Sequence, residues 1–315
     1  MDTVRSLRVS RVAWGLLLFN LGVILWGAFV RATGSGAGCG AHWPTCNGEV
    51  VPRAAATETL IEFTHRATSG MALLGSVGLM VLALRTFSPG HRARRAAAAN
   101  MVFMLLEAAV GAALVLLELT GNNDSLARAG VMGAHLVNTF LLVGSFVLVA
   151  TWAGGTAAPQ PGARGLWAVA APAAVALLVV AASGGITALG DTLFPAGSLS
   201  EGLAQDFSPT AHLLVRLRVL HPVLAMGTAV LVAVAAAVLA VARPVARPAA
   251  ALVLGLVAAQ VAFGWVNLLL LAPVWGQLLH LLGADLLWVA FVWAAARALG
   301  ASAPAGARAP VPAVP

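Results

Sequence analysis

Residues 27–66 read GAFVRATGSGAGCGAHWPTCNGEVVPRAAATETLIEFTHR. The stretch leaves one apolar run, crosses a Gly-rich loop that holds the chain's 2 cysteines, and enters a second apolar run through Glu62 and His65. A thiol pair, a carboxylate and an imidazole thus meet at the mouth of two long apolar segments. Glu62 and His65 are spaced i, i+3 and share a helix face.

The apolar runs decide the fold. The 315 residues are 60% hydrophobic and 9% charged, with a mean hydropathy of +0.93. A water-soluble domain of this size has no interior large enough for that much apolar surface, so lipid is part of the solvent. Runs able to cross ~30 Å of hydrocarbon occupy roughly 13–33, 58–86, 96–119, 128–153, 164–189, 209–242, 246–271 and 274–298. They lack β-barrel alternation, and otherwise only helices satisfy every backbone group in lipid. The expected class is an all-α integral membrane protein with eight transmembrane helices. Arg5, Arg8 and Arg11 resemble the charged start of a signal peptide. No small-x-small cleavage site follows them, and the first run reads as an uncleaved anchor.

All 18 basic residues are arginine. With the N-terminus inside, the cytoplasm receives Arg5, Arg8, Arg11, Arg85, Arg92, Arg94, Arg95, Arg164, Arg243, Arg247, Arg297 and Arg308, and the outside Arg31, Arg53, Arg66, Arg128, Arg216 and Arg218. That excess follows the positive-inside bias and puts both termini in the cytoplasm of a cell-membrane protein. The loops 34–57 and 190–208 then lie outside. Arginines scattered at segment ends do not form a nucleic-acid surface, despite the formal net charge of +7.

The segment GGTAAPQPGARG at 154–165 reads as a linker. It divides the spans into similar halves: His65 and His135 in the second and fourth spans are matched by His221 and His280 in the sixth and eighth. Glu107-x-x-x-Gly111 likewise matches Gln260-x-x-x-Gly264. The expected architecture is two pseudo-symmetric four-helix bundles, 1–155 and 166–299, joined by a cytoplasmic linker at 156–165 and followed by a disordered tail at 300–315.

Ionisable side chains inside membrane helices are rare and usually functional. Any one of the histidines reads equally well as an interhelical hydrogen-bonding group; their repetition across the halves favours ligands. Paired imidazoles at one depth of a bundle suit a haem with two axial histidines. Closely spaced zinc or copper motifs are missing from the sequence. His91 reads as a solvated loop residue and His212 as interfacial, and His42 has no clear assignment.

The halves differ three residues before the leading histidine, Glu62 in one and Arg218 in the other. Arg218, with Arg216, suits haem propionates, and Arg66 is a further candidate for a propionate or site contact. Glu62 suits an acid or base beside a porphyrin in apolar surroundings, or alternatively a carboxylate in the first helical turn. Cys39 and Cys46 read as a disulfide shaping the loop, with thiol redox chemistry as the functional alternative and zinc binding with His42 as a remote one.

This set resembles haem A synthase, the integral membrane enzyme family that oxidises a methyl group of haem O to the formyl group of haem A. The resemblance rests on the four spaced histidines, Glu62-Phe-Thr-His65-Arg66, the loop cysteines, and the approach Val30-Arg-x-Thr-Gly-Ser-Gly-x-x-Cys39. It implies that His221 and His280 ligate the iron of a haem b cofactor, that His65 and His135 bind haem O, and that Glu62 is essential beside it. It also implies a place in cytochrome oxidase assembly and haem O synthase as a partner. Electron acceptor and oligomeric state are not written in the sequence. Glu107, a second carboxylate where the other half has Gln260, stands apart from the repeat as a secondary site residue. A di-haem b membrane cytochrome exchanging electrons with quinone uses the same histidines but has no need of Glu62 or the cysteine loop.

Overall fold

A computed structural model of the protein describes residues 3–53 and 56–300. Of the tail expected at 300–315, everything beyond Gly300 falls outside the described residues. The helices are α1 (Thr3–Ala32), α2 (Thr57–Thr86), α3 (Arg92–Leu116), α4 (Leu126–Ala153), α5 (Arg164–Leu193), α6 (Leu199–Asp206), α7 (Leu213–Leu217), α8 (Leu220–Ala242), α9 (Arg247–Leu269) and α10 (Val274–Gly300). Among the described residues eight spans are long and apolar enough to cross a membrane, with α7 and α8 together making the sixth. The fold is all-α, and the protein is a multi-pass membrane protein.

Two boundaries differ from the sequence reading. The first helix starts at Thr3 rather than near residue 13. Its polar leading turns are held by α4: Ser6 donates to Ala153 O at 2.5 Å and Ser10 to Ala150 O at 2.8 Å. The sixth span, expected as one helix over 209–242, breaks between Leu217 and Leu220. Pro222 has no N–H for the carbonyl of Arg218, and its ring crowds that carbonyl. The break therefore falls directly before His221.

Each half closes on itself. In the first, α1 packs on α2, α2 on α3, α3 on α4 and α4 back on α1; in the second, α5, α8, α9 and α10 do the same. The halves meet where α1 and α4 lie against α5 and α10. This makes α4 the innermost helix: 72% of its span is buried, against 33% or less in every other.

Two contacts fasten the halves together. Deep in the membrane, Trp288 of α10 donates its indole N–H to Phe140 O of α4 at 2.6 Å. The indole lies over Gly144, where an added Cβ would come 3.1 Å from its nitrogen. At the loop-bearing end, Arg31 of α1 donates to Ala188 O and Thr192 Oγ1 of α5, and to Gln277 Oε1 of α10, each at 2.7 Å. Asp285 of α10 is wholly buried, and neither carboxylate oxygen has a hydrogen-bond partner among the described residues.

Gly144→Val is expected to push Trp288 out of its seat and lose the bond to Phe140 O. Overpacking of this kind costs about 1–3 kcal/mol. The expected outcome is a lower thermal midpoint in detergent, checked beside Gly15→Val, where the added Cβ meets nothing within 4 Å.

Candidate functional site

The loop quoted first folds down onto the start of α2. Gly38 has to be glycine there, because a Cβ would come within 2.6 Å of the backbone at Glu58 and Thr59. Thr59 Oγ1 donates to Gly38 O at 2.7 Å. Cys39 and Cys46 form a disulfide, with Cα atoms 4.4 Å apart, and both are buried. The bridge rules out zinc held by their thiolates in this state.

Glu62, only 4% exposed, is the pin that holds this cover. One carboxylate oxygen accepts the Cys39 N–H at 2.8 Å. The other accepts from Arg66 Nε at 3.1 Å and from Arg66 Nη2 in a closer contact. Arg66 then reaches back through Nη1 to His42 O at 2.5 Å and Thr45 O at 2.7 Å. The sequence reading put Glu62 in apolar surroundings. The structure gives it a guanidinium one helical turn on and a backbone N–H from the loop. His42 contributes its carbonyl, while the residue itself is exposed.

Behind Glu62 lie the histidines. His65 stands on α2 and His135 on α4 of the same half. His221 and His280 face each other with ring centroids 6.4 Å apart at an interplanar angle of 90°. The His221 Nδ1 pairs with Ser183 Oγ at 3.0 Å, which leaves Nε2 free to act as a ligand. Nδ1 atoms of His65, His135 and His280 are buried without hydrogen-bond partners among the described residues. The Nδ1 of His135 lies 3.5 Å from Glu107 Oε1, and Glu107 also accepts from Asn138 at 2.6 Å and Thr139 at 2.5 Å. In the other half the counterpart Gln260 donates to His280 O at 2.7 Å. Both groups thus brace a histidine turn, one through side chains and one through backbone.

Three of the four rings rest against a glycine on the neighbouring helix. An added Cβ would meet His65 Cε1 at 2.8 Å from Gly27, His221 Cε1 at 2.9 Å from Gly184, and His280 Cε1 at 3.2 Å from Gly264. Sequence reading missed Gly27 and Gly184. The signal was available, because each stands in the helix before its histidine and the pair obeys nearly the same internal offset as His65 and His221.

Arg218, read above as suited to propionates, has protein partners. It lies 3.1 Å from Asp191 Oδ1 and 3.1 Å from Asp206 Oδ1, and it donates to Gln205 Oε1 at 3.2 Å and Phe194 O at 3.4 Å. The Asp206 contact has ion-pair distance without hydrogen-bond alignment. Burial pushes the Asp206 carboxyl up from its ordinary value, and Arg218 opposes that shift. Arg216 is exposed on α7. His91 and His212 are helix caps, accepting from Ala93 N–H and Leu214 N–H respectively.

Residues 10–292 match the model of the COX15-CtaA family, described as cytochrome oxidase assembly protein. The chain belongs to that family. Within curated relatives of this cytochrome oxidase assembly family member, two Thermus thermophilus proteins named protoheme IX farnesyltransferase are 48% identical over 302 residues, 95% of this chain and 50% of theirs. The chain thus spans about half the length of those relatives. A Bacillus mycoides protein named heme A synthase is 43% identical over 93 residues, 30% of each chain.

Arg66→Gln is expected to leave buried Glu62 without its cation and the loop carbonyls without a donor. Breaking one side of such a pair costs on the order of 3 kcal/mol. Limited proteolysis of the intact protein checks this: cleavage between Cys46 and Arg53 should quicken several-fold.

Proposed function

We propose that this family member is a haem A synthase, an oxidoreductase that converts a methyl group of haem O to the formyl group of haem A in the cell membrane. The observation that carries the reading is the asymmetry of the two histidine pairs. A carboxylate under a covering loop stands one turn before His65, whereas the matching position before His221 is an arginine neutralised by Asp191 and Asp206.

The C-terminal pair fits a bis-histidine haem. His221 and His280, with ring centroids 6.4 Å apart, would hold the iron of that haem. Gly184 and Gly264 clear the space beside both rings. A haem b held there supplies one-electron redox chemistry. Ser183 orients His221 through Nδ1, and Gln260 holds the His280 turn.

His65 and His135 hold the substrate haem O, with Gly27 giving the first ring its room. Two two-electron oxidations of the substrate methyl, with oxygen supplied by water, would yield the hydroxymethyl group and then the aldehyde, releasing four protons and passing four electrons to an external electron acceptor. Glu62 takes up protons released beside His65 or steadies positive charge developing there. Arg66 and the Cys39 N–H keep the carboxylate on that side, and the disulfide loop limits bulk water. Arginine counting supports a cytoplasmic N-terminus, with this corner outside the cell.

The name of the Thermus relatives favours a second reading, prenyl transfer to protohaem. A diphosphate leaving group is handled by a divalent cation on clustered carboxylates. Since the chain spans only half of those relatives, their segment similar to this chain need not be the part that earned the name. An enzyme making haem O is the partner that this relationship supports.

Pigment extraction from purified protein coexpressed with a haem O source tests the proposal. Wild type should yield haem A or the hydroxymethyl haem. Glu62→Gln should accumulate haem O with at least a tenfold loss of product, and His221→Ala should lose the resident pigment. Haem b alone in both sites would instead make the protein an electron carrier, and farnesylated product from protohaem would make it a transferase.

A further inference from the structure

At the end of the spans opposite the cysteine loop lies a cavity of about 310 Å³, lined by Gly90, His91, Arg92, Arg95, Trp152 and Thr156 among others. It is formed where the N-terminus of α3 meets the end of α4 and the following linker. Among its lining side chains, Arg92, Arg95 and Trp152 can only donate. Neither the Arg92 nor the Arg95 side chain has a hydrogen bond or ion pair among the described residues; the Arg92 guanidinium only stacks 5.9 Å from the Trp152 ring centroid. The indole nitrogen of Trp152 is buried with no hydrogen-bond partner among the described residues. A buried N–H donor left open beside two uncompensated arginines is unfavourable unless an acceptor comes to it.

The matching corner of the other half lacks this arrangement. There Arg243 Nη1 donates to Ala242 O at 3.1 Å and Arg247 Nε to Ala240 O at 3.4 Å, so both are turned onto the end of α8. Of the chain's 11 acidic residues, only Asp2 belongs by sequence to this end of the spans, and it falls outside the described residues. A helix N-terminus adds partial positive charge aimed at the same space.

We propose that this cavity binds a phosphate group, and that in the membrane the group is the headgroup phosphate of an anionic phospholipid. Basic pockets between spans at the membrane surface suit such headgroups. Arg92 and Arg95 meet the phosphate charge, Trp152 donates its N–H to an oxygen, and Thr156 offers a hydroxyl. The acyl chains would lie along the apolar outer faces of the spans. This site is independent of the haem reading above.

The test uses the full purified chain in neutral detergent, titrated with short-chain phosphatidylglycerol, phosphatidylcholine or inorganic phosphate. Saturable binding of phosphatidylglycerol, displaced by millimolar inorganic phosphate and not matched by phosphatidylcholine, is the expected result. Arg92→Gln with Arg95→Gln should weaken it roughly tenfold or more, while Arg243→Gln with Arg247→Gln should leave it within about twofold. Trp152→Phe, which removes one N–H and keeps a ring, should weaken it several-fold and serves if the double variant does not fold. Equal loss in both arginine pairs, or no effect of Trp152→Phe, would overturn the pocket in favour of diffuse charge. Binding of inorganic phosphate without phosphatidylglycerol would overturn the lipid as occupant.

Discussion

An imidazole needs room in a tightly packed helical bundle, and at three of the four histidines the facing helix gives up a side chain to make it. Close packing leaves no voids of that size by default, and every polar ring nitrogen in the membrane interior needs a partner. Gly27, Gly184 and Gly264 meet the first demand directly, each with its missing Cβ against a histidine ring. The second demand is met at His221 by Ser183, and it is left open at the buried Nδ1 atoms of His65, His135 and His280. The surrounding contacts follow from holding those rings: the helix break before His221, the bracing by Glu107 and Gln260, and the fastening of the two halves through α4.

The same position does related work in both halves by different chemistry. Three residues before the leading histidine, Glu62 gathers the Cys39 N–H and Arg66, and Arg218 gathers Asp191, Asp206, Gln205 and the Phe194 carbonyl. Each thereby pins the loop that covers its own bundle: a disulfide loop over the first, the short helix α6 over the second. The sequence difference between Glu and Arg therefore has a structural part, which is the sign of the loop contacts each must satisfy. What remains peculiar to the first half is a carboxylate near a histidine pair, and that residue of chemistry is what the functional reading rests on.

Much of this was legible because lipid imposes a simple code. Runs of apolar residues read as helices since nothing else survives unpaired in hydrocarbon, and the internal repeat of histidines stands out against so apolar a background. Boundaries were less legible where polar residues remain helical through tertiary contact. Ser6 and Ser10 extend α1 by bonding to α4 carbonyls, which no local pattern announces. Pro222 did carry the break in the sixth span, but the apolar run hid it. The partners of Glu62 and Arg218 were out of reach because they come from loops whose folding depends on Gly38 and the disulfide. Asp285 stands in the sequence as an acid within an apolar span, but no partner in the other half marks it.

The two ends of the bundle obey opposite electrostatic rules. At the loop-bearing end four of the six arginines are consumed: Arg31 by Ala188, Thr192 and Gln277, Arg66 by Glu62 and loop carbonyls, Arg128 by Gly121 O and Asn123 O, and Arg218 by two aspartates. There, positive charge is an internal fastener, and acidic residues cluster to receive it. At the other end acids are nearly missing from the sequence, so arginines turn to backbone carbonyls or stay open to whatever anion the surroundings bring. A positive-inside bias explains why arginines are retained at that face, but not why Arg92 and Arg95 line one cavity with Trp152. Donors lining one cavity are a property of a site, whereas bias is a property of a surface, and this corner has both.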